Sequence, residues 1–347
     1  MKYNFDVNLP KDTLNVVQFG LGPIGINTVK AAMKKDMVKV VGAVDIDPEK
    51  KGKDLGEILG LEERLGIEVV ADIAEVFEKT HVDVVLHTTS SFVKTTFNQF
   101  KQIMEGGANV VSSTEELLMP DFREPELGKK LNEIAKANNV SCLGTGVNPG
   151  FVMDTLPVFV SSMCTDVEHV YAEREVDAST RREPLQRKVG AGLTLKEWQD
   201  RADADKLGHR GLMETVAFVT RAMGWQLDSM NESLEPMIAD RDITTQYLTV
   251  KKGEPAGIKN CGFGYVGDKE VIKVDLRMYV GARNPHDAVR LKSNPPVDIV
   301  VNGGFAGDIA TVSSLVNNIN TIYSAPPGLH TMMTLSLPRI FNGSTNF

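Results

Sequence analysis

Residues Val16 to Thr28 read VVQFGLGPIGINT and set Gly20, Gly22 and Gly25 at G-x-G-x-x-G spacing. The apolar run Asn15 to Phe19 before them predicts a buried parallel strand. Ile24 to Met33 after them predicts a helix, with helical periodicity and no internal proline. In that strand–turn–helix order each glycine has a task. The first permits the tight turn, the second lets backbone approach a pyrophosphate, and the third lets helix and strand pack closely. A pyrophosphate would meet the unpaired N–H groups and positive end of the helix. A second apolar strand, Val38 to Val44, ends at Asp45, 20 residues past Gly25, where a carboxylate can accept the hydroxyls of an adenosine ribose. Gly20, Gly22, Pro23, Ile24, Gly25 and Asp45 are therefore expected to hold a dinucleotide. The other reading is a strand–helix turn that merely tolerates glycine; the flanking strand, the helix and Asp45 weigh against it.

Further strand-like runs follow at 66–71, 82–86, 108–112 and 140–144, with helical stretches between them, including Thr95 to Glu105 and Glu126 to Asn138. That alternation predicts an α/β fold whose first domain, residues 1–150, is a Rossmann-type, doubly wound parallel sheet. Around Asn148-Pro-Gly150 the pattern changes. A helix at 153–163 is followed by longer, polar-alternating strands at 168–176, 244–252, 271–280 and 297–302, with helices at 195–206 and 211–223. Residues 151–304 read as an α+β domain on an open mixed or antiparallel sheet, serving substrate binding and oligomerisation. The apolar segment Phe305 to Tyr323 reads as a helix, and 305–347 is expected to return to the first domain.

The balance of the chain narrows its partners. With 347 residues there is length for two domains with substantial cores. A formal charge of −8 without a long basic tract argues against nucleic acid. No apolar run reaches the ~18 residues needed to cross a membrane, and the start lacks the pattern of a signal peptide. The three cysteines, Cys142, Cys164 and Cys261, are odd in number and far apart, as in a reduced cytoplasmic protein. Six histidines show no ligand spacing, so no metal is expected.

In an open α/β sheet, ligands lie outside the carboxyl ends of the strands. The turns there are polar and small: His87-Thr-Thr-Ser-Ser-Phe92, Ser112-Ser-Thr-Glu-Glu116 and Gly144-Thr-Gly-Val-Asn-Pro-Gly150. Thr88, Thr89, Ser90, Ser113 and Asn148 are accordingly expected beside the nicotinamide. Glu115, with Glu116 in reserve, is the candidate catalytic carboxylate. The plain alternative is a helix start, where Ser113 or Thr114 caps and glutamates are favoured. The segment 173–187 holds four arginines, Arg174, Arg181, Arg182 and Arg187, within the fourteen residues from Arg174 to Arg187. A guanidinium there can take a substrate carboxylate bidentately; the alternative is a solvated loop balanced by its own acids.

These segments together carry a resemblance. The glycine turn, Gly144-Thr-Gly-Val-Asn-Pro-Gly150 and Ser324-Ala-Pro-Pro-Gly-Leu-His-Thr-Met332 resemble the dihydrodipicolinate reductase-like superfamily. Within it, Ser113-Thr-Glu-Glu-Leu117 and the run 176–192, VDASTRREPLQRKVGAG, are similar to the family of 2,4-diaminopentanoate dehydrogenases and native amine dehydrogenases. The stretch before that run lacks the histidine pair and lysine of dihydrodipicolinate reductase, and arginines replace its S-G-T turn. The resemblance implies oxidation of the C4 amine of 2,4-diaminopentanoate to an imine, with hydride passing to NAD(P)⁺. Hydrolysis then gives 2-amino-4-oxopentanoate and ammonia, and the reverse is reductive amination. It implies Glu115 as the catalytic carboxylate, Arg181 and Arg182 as candidates for the substrate α-carboxylate, His209 as a pocket residue, and a homodimer. Asp45 favours NAD; the nearby Lys50, Lys51 and Lys53 leave NADP possible. Two other readings stay open: a related reductase or homoserine-type dehydrogenase, against which stands Glu115 where that family has lysine, and a dinucleotide-binding sensor without turnover.

Overall fold

The computed structural model describes residues 13–340. The described residues up to Gly146 and from Asp308 onward form one compact unit, and Val147–Gly307 form a second.

The first unit is a parallel sheet. Its strands are β1 Leu14–Phe19, β2 Val38–Val44, β3 Val69–Val70, β4 Val84–His87, β5 Asn109–Ser112 and β6 Ser141–Gly144. The second unit contributes β7 Asp166–Asp177, β8 Ser229–Ile238, β9 Ile243–Thr244, β10 Thr249–Val250, β11 Pro255–Val266, β12 Lys269–Tyr279, β13 His286–Asn294 and β14 Val297–Asn302; the chain then returns to the first for β15 Gly328–His330. The first sheet runs β15-β6-β5-β4-β1-β2-β3, with every pairing parallel. Continuous Val-rich strands buried on both faces are what such a sheet requires. Val17, Val44, Val85, Val110 and Cys142 sit in one core with Phe100 and Ile103 of the helix Val93–Glu105 and Leu131 of the helix Pro125–Ala137.

β15 was not anticipated: three residues, Gly-Leu-His, carry too little pattern, and their strand is made by pairing Gly328 with Ser141. The single helix expected over 305–323 is two, Gly307–Asn317 and Ile319–Tyr323. Between them, the buried Asn318 turns its side-chain amide onto the Ser314 carbonyl, offering the backbone a competing partner.

The second unit is built on a six-stranded sheet, β14-β13-β7-β12-β11-β8, in which β7 and β12 are parallel and all other neighbours antiparallel. The helix Leu212–Ala222 packs on β11, β12 and β8, and Gly262 gives it room: a Cβ there would meet Val216 at 3.0 Å. The strand expected over 244–252 is instead the hairpin β9–β10, because the Thr245 hydroxyl accepts the Tyr247 and Leu248 N–H groups and fixes a turn.

Candidate active site

In the first unit the strand ends are aligned by register. Phe19 pairs with His87, His87 with Ser112, and Ser112 with Gly144, so the turns that follow β1, β4, β5 and β6 begin side by side. Buried polar groups fix those turns to one another. The Gln18 amide donates to the Gly20 carbonyl at 3.0 Å and to Thr88 Oγ1 at 2.9 Å, and Thr88 Oγ1 donates to the same carbonyl at 3.0 Å. His87 is fully buried between Phe19 and Phe100, with Nδ1 at 2.9 Å from Ser112 Oγ and Nε2 at 2.8 Å from Gln99 Oε1. Burial pushes its pKa down to about 4, despite the Gln99 hydrogen bond, so the ring is neutral. Thr89 joins this group, donating to Gln99 Oε1 at 2.8 Å. Neither Gln18 nor His87 was singled out from sequence, where Gln18 read as part of a strand and His87 as the first residue of a turn.

The glycine turn has the shape a dinucleotide needs. A Cβ at Gly25 would lie 1.9 Å from the Gly20 carbonyl oxygen, so the helix Pro23–Ala32 can pack onto the turn only with glycine there. A Cβ at Gly22, by contrast, meets nothing within 4 Å. Gly22 caps that helix without a side-chain hydrogen bond, and Pro23 opens it. Its first-turn N–H groups are the anion-binding donors of such a helix. Asp45 stands where expected: Oδ2 accepts the Leu21 N–H at 2.7 Å and Oδ1 the Asp47 N–H at 2.8 Å. Lys50 Nζ bridges Asp45 and Asp47, at 3.3 and 3.1 Å. Burial pulls the Lys50 pKa down, but the hydrogen bonds to Asp47 and Asp45 outweigh it and the net direction is up. These residues fit a dinucleotide.

After β5 the chain makes a tight helical turn, Glu115–Leu118, seated against β6 because Gly144 has no side chain: a Cβ there would be 2.6 Å from the Leu117 carbonyl. The Thr114 hydroxyl does not cap the turn; it donates to the Ser90 carbonyl at 2.8 Å. Ser113 is held by its N–H to the His87 carbonyl. The two glutamates then part. Glu116 Oε2 accepts the Val93 N–H at 2.9 Å and caps a helix whose own cap residue, Phe92, has no oxygen to offer. That is a structural duty. Glu115 Oε2 is shut off from solvent with no hydrogen-bond partner among the described residues. An unsatisfied carboxylate oxygen is costly unless something else supplies the donor.

In the second unit, Asn148 is paired with His209, whose Nε2 lies 3.0 Å from the Asn148 carbonyl and 3.4 Å from its side-chain amide. The two residues, expected to serve cofactor and substrate separately, sit together. Beneath them the fully buried Asp154 accepts the N–H groups of Gly150 and Thr155 and the Thr155 hydroxyl; burial raises its pKa while those bonds oppose it. Arg174 requires a correction. It lies opposite Asp287 across β7 and β13, gives Nη1 to Asp287 Oδ2 at 3.0 Å and Nη2 to the Phe305 carbonyl at 2.7 Å, and is almost wholly buried. Its donors serve the fold rather than a substrate. Arg182 is exposed and begins the helix Glu183–Lys188, where Arg187 pairs with Glu183; Arg181 lines a cavity in this unit.

A parallel sheet with a glycine cradle, a ribose-type carboxylate and an unsatisfied glutamate defines a dinucleotide-dependent oxidoreductase. Comparison with known proteins is more specific. Residues 14–143 match the N-terminus of dihydrodipicolinate reductase, and 151–346 match the 2,4-diaminopentanoate dehydrogenase C-terminal domain. The chain is 33% identical over 346 residues to 2,4-diaminopentanoate dehydrogenase of Acetoanaerobium sticklandii, covering 96% of each. It is 22% identical over 355 residues to an amine dehydrogenase of Streptomyces virginiae, covering 93% of this chain and 96% of that one. The structure of an amine dehydrogenase from Mycobacterium smegmatis shares the fold, with a TM-score of 0.83 at 23% identity over 96% of this chain and 98% of that one. The chain belongs to the 2,4-diaminopentanoate dehydrogenase family, and is an oxidoreductase of the amine dehydrogenase class.

Proposed function

We propose that the protein oxidises the C4 amine of 2,4-diaminopentanoate, using NAD in preference to NADP, and works as a homodimer. The observation that carries this reading is the unsatisfied buried oxygen of Glu115, which an amine N–H would satisfy. The relative at 33% identity that bears the name 2,4-diaminopentanoate dehydrogenase supports the choice of substrate.

Gly20, Gly22, Pro23, Ile24 and Gly25 would hold the pyrophosphate and Asp45 the adenosine ribose. NAD(P)⁺ held there would supply the hydride acceptor for the carbon that bears the amine. The Glu115 carboxylate orients the neutral amine through an N–H, and loss of the hydride leaves the iminium. Its negative charge stabilises the iminium cation. It next removes a proton from the water that attacks that carbon, and returns one to nitrogen as ammonia departs. Amine, NAD⁺ and water thus give ketone, NADH and ammonium. Arg181 and Arg182 are the candidates for the α-carboxylate.

The test is NADH or NADPH production by purified protein with 2,4-diaminopentanoate, scored with ammonia release. Turnover with both products supports the reading; cofactor binding without turnover sinks it. Light scattering of the same sample checks the dimer.

A further inference from the structure

The peptide that joins Gly20 to Leu21 is held from both ends. Its carbonyl oxygen accepts the Gln18 amide and the Thr88 hydroxyl, each at 3.0 Å, and Gln18 Nε2 also donates to Thr88 Oγ1 at 2.9 Å. Its N–H goes to Asp45 Oδ2 at 2.7 Å. Backbone sterics alone do not fix this plane. Gly20 sits at φ +91°, where glycine is at ease, and it has no Cβ to limit rotation about its own bonds. The hydrogen bonds therefore choose the direction. They turn the carbonyl inward, onto the position where Gly25 has no side chain and a Cβ would lie 1.9 Å away.

Gln18 is 1% exposed in β1, between the apolar Val17 and Phe19, and its Oε1 is buried without a hydrogen-bond partner among the described residues. An orphaned acceptor is destabilising, so packing of the strand does not account for a glutamine there. The amide has to present its nitrogen, since its oxygen in that place would face the Gly20 carbonyl oxygen. Thr88, expected beside the nicotinamide, gives its hydroxyl hydrogen to the same carbonyl. Turned over, the peptide would set its oxygen against the Asp45 carboxylate and drive that side chain from its place. We propose that Gln18, together with Thr88, is a positioning residue for the dinucleotide: it locks the Gly20–Leu21 peptide, and through the Leu21 N–H keeps Asp45 where the adenosine ribose needs it. This rests on the dinucleotide reading of the glycine turn and is independent of which amine is oxidised.

The experiment measures binding, not turnover. NADH affinity is read by fluorescence, and ADP-ribose, which has the pyrophosphate and the adenosine ribose but no nicotinamide, is read by displacement of NADH. Gln18→Met and Thr88→Val each leave the Gly20 carbonyl one donor, and each weakens both ligands about threefold. The double variant leaves it none and weakens both about thirtyfold, more than the product of the single losses, because the two side chains share one partner. Gln18→Met/Thr88→Ser keeps a hydroxyl and returns to the affinity of Gln18→Met alone. The melting temperature of Gln18→Met stays close to wild type, since the change also removes the orphaned Oε1. In cofactor-free protein the Leu21 amide hydrogen exchanges faster in the double variant than in the wild type. Losses confined to NADH would assign Thr88 to the nicotinamide and overturn the proposal. Wild-type affinity with only a lowered melting temperature, losses that simply multiply, or unchanged Leu21 exchange overturn it as well. If the double variant does not fold, Gln18→Met alone decides, and wild-type affinity in it overturns the proposal. A wild type that binds neither ligand removes the dinucleotide reading itself, and the proposal with it.

Discussion

Buried polar side chains shape turns in both units, but the second adds charge pairs across its sheet. In the first, Gln18, His87, Ser112 and Thr114 hold main-chain carbonyls and hydroxyls, and so shape turns. In the second, Asp154 does the same, but buried acids of the sheet also hold basic side chains. Glu173 takes Arg277 at 3.1 Å, Arg290 at 3.0 Å and His286 at 3.5 Å; Asp275 takes Arg277, and Arg174 takes Asp287. The first arrangement leaves donors and one carboxylate oxygen over for a ligand. The second sets charge against charge across neighbouring strands, and there Asp287 Oδ1 is also left buried without a hydrogen bond. A charged residue in the second unit must therefore first be shown not to be half of a pair.

The largest effect that divides the two is catalytic. Glu115→Gln keeps the shape of the turn and the dinucleotide cradle but removes the base. The expected outcome is a fall in kcat of about 10²–10⁴-fold with NADH affinity, read by fluorescence, close to wild type. Retained turnover would remove Glu115 from the chemistry.

On the other side of the comparison, Arg174→Met should leave kcat per folded molecule far less changed than stability. It strands the buried Asp287 carboxylate, which keeps its hydrogen bond from the Phe305 N–H. Chemical denaturation should show a loss of about 3–5 kcal/mol, largely recovered in Arg174→Met/Asp287→Leu, where no lone charge remains. A stable Arg174→Met protein with a selectively raised KM would reverse the correction made for this residue.

These contrasts explain what could be read from the chain. The cradle was legible because its signal is local: Gly20 to Gly25 and Asp45 lie within one strand–helix–strand, and each glycine is fixed by geometry a few residues away. Glu115 was marked by its place after a strand and by the family resemblance, but its separation from Glu116 was not legible, since the Val93 N–H that claims Glu116 comes from 23 residues earlier. The pairing of Arg174 with Asp287 spans 113 residues. Nothing at position 174 announces it, so an arginine-rich segment read as a substrate clamp. β11 was missed for a related reason: PAGIKNCGFGYV has the glycines of a loop, and Gly262 is needed only because a helix packs there.

His87 offers a smaller, pH-dependent effect. Its folded pKa, about 4, lies below the unfolded value near 6.5, so the unfolded chain binds the proton first. Its contribution is fully present above about pH 6.5 and is lost as pH falls towards 4, by up to about 3 kcal/mol. Melting temperatures measured from pH 7 to 4 should fall less steeply in His87→Gln, which cannot charge. Parallel curves for the two proteins would place the acid sensitivity in the charge pairs of the second unit instead.

The smallest effect concerns a place where the first unit behaves like the second. Asp45 is a ribose-type carboxylate, yet Lys50 bridges it to Asp47 in the same charge-to-charge manner seen across the second sheet. If Asp45 acts as the ribose acceptor, its negative charge repels a 2′-phosphate, and Asp45→Ser should move the NADP-to-NAD ratio of kcat/KM upward by about tenfold, the scale of one hydrogen-bond-sized term. If Lys50 tempers that repulsion, Lys50→Met should move the ratio the other way, mainly through a higher KM for NADP. The two variants together distinguish a carboxylate that selects the cofactor from one that only ties Leu21 to the strand end. In the second case Asp45→Ser lowers affinity for NAD and NADP alike, and Lys50→Met leaves the ratio where it was.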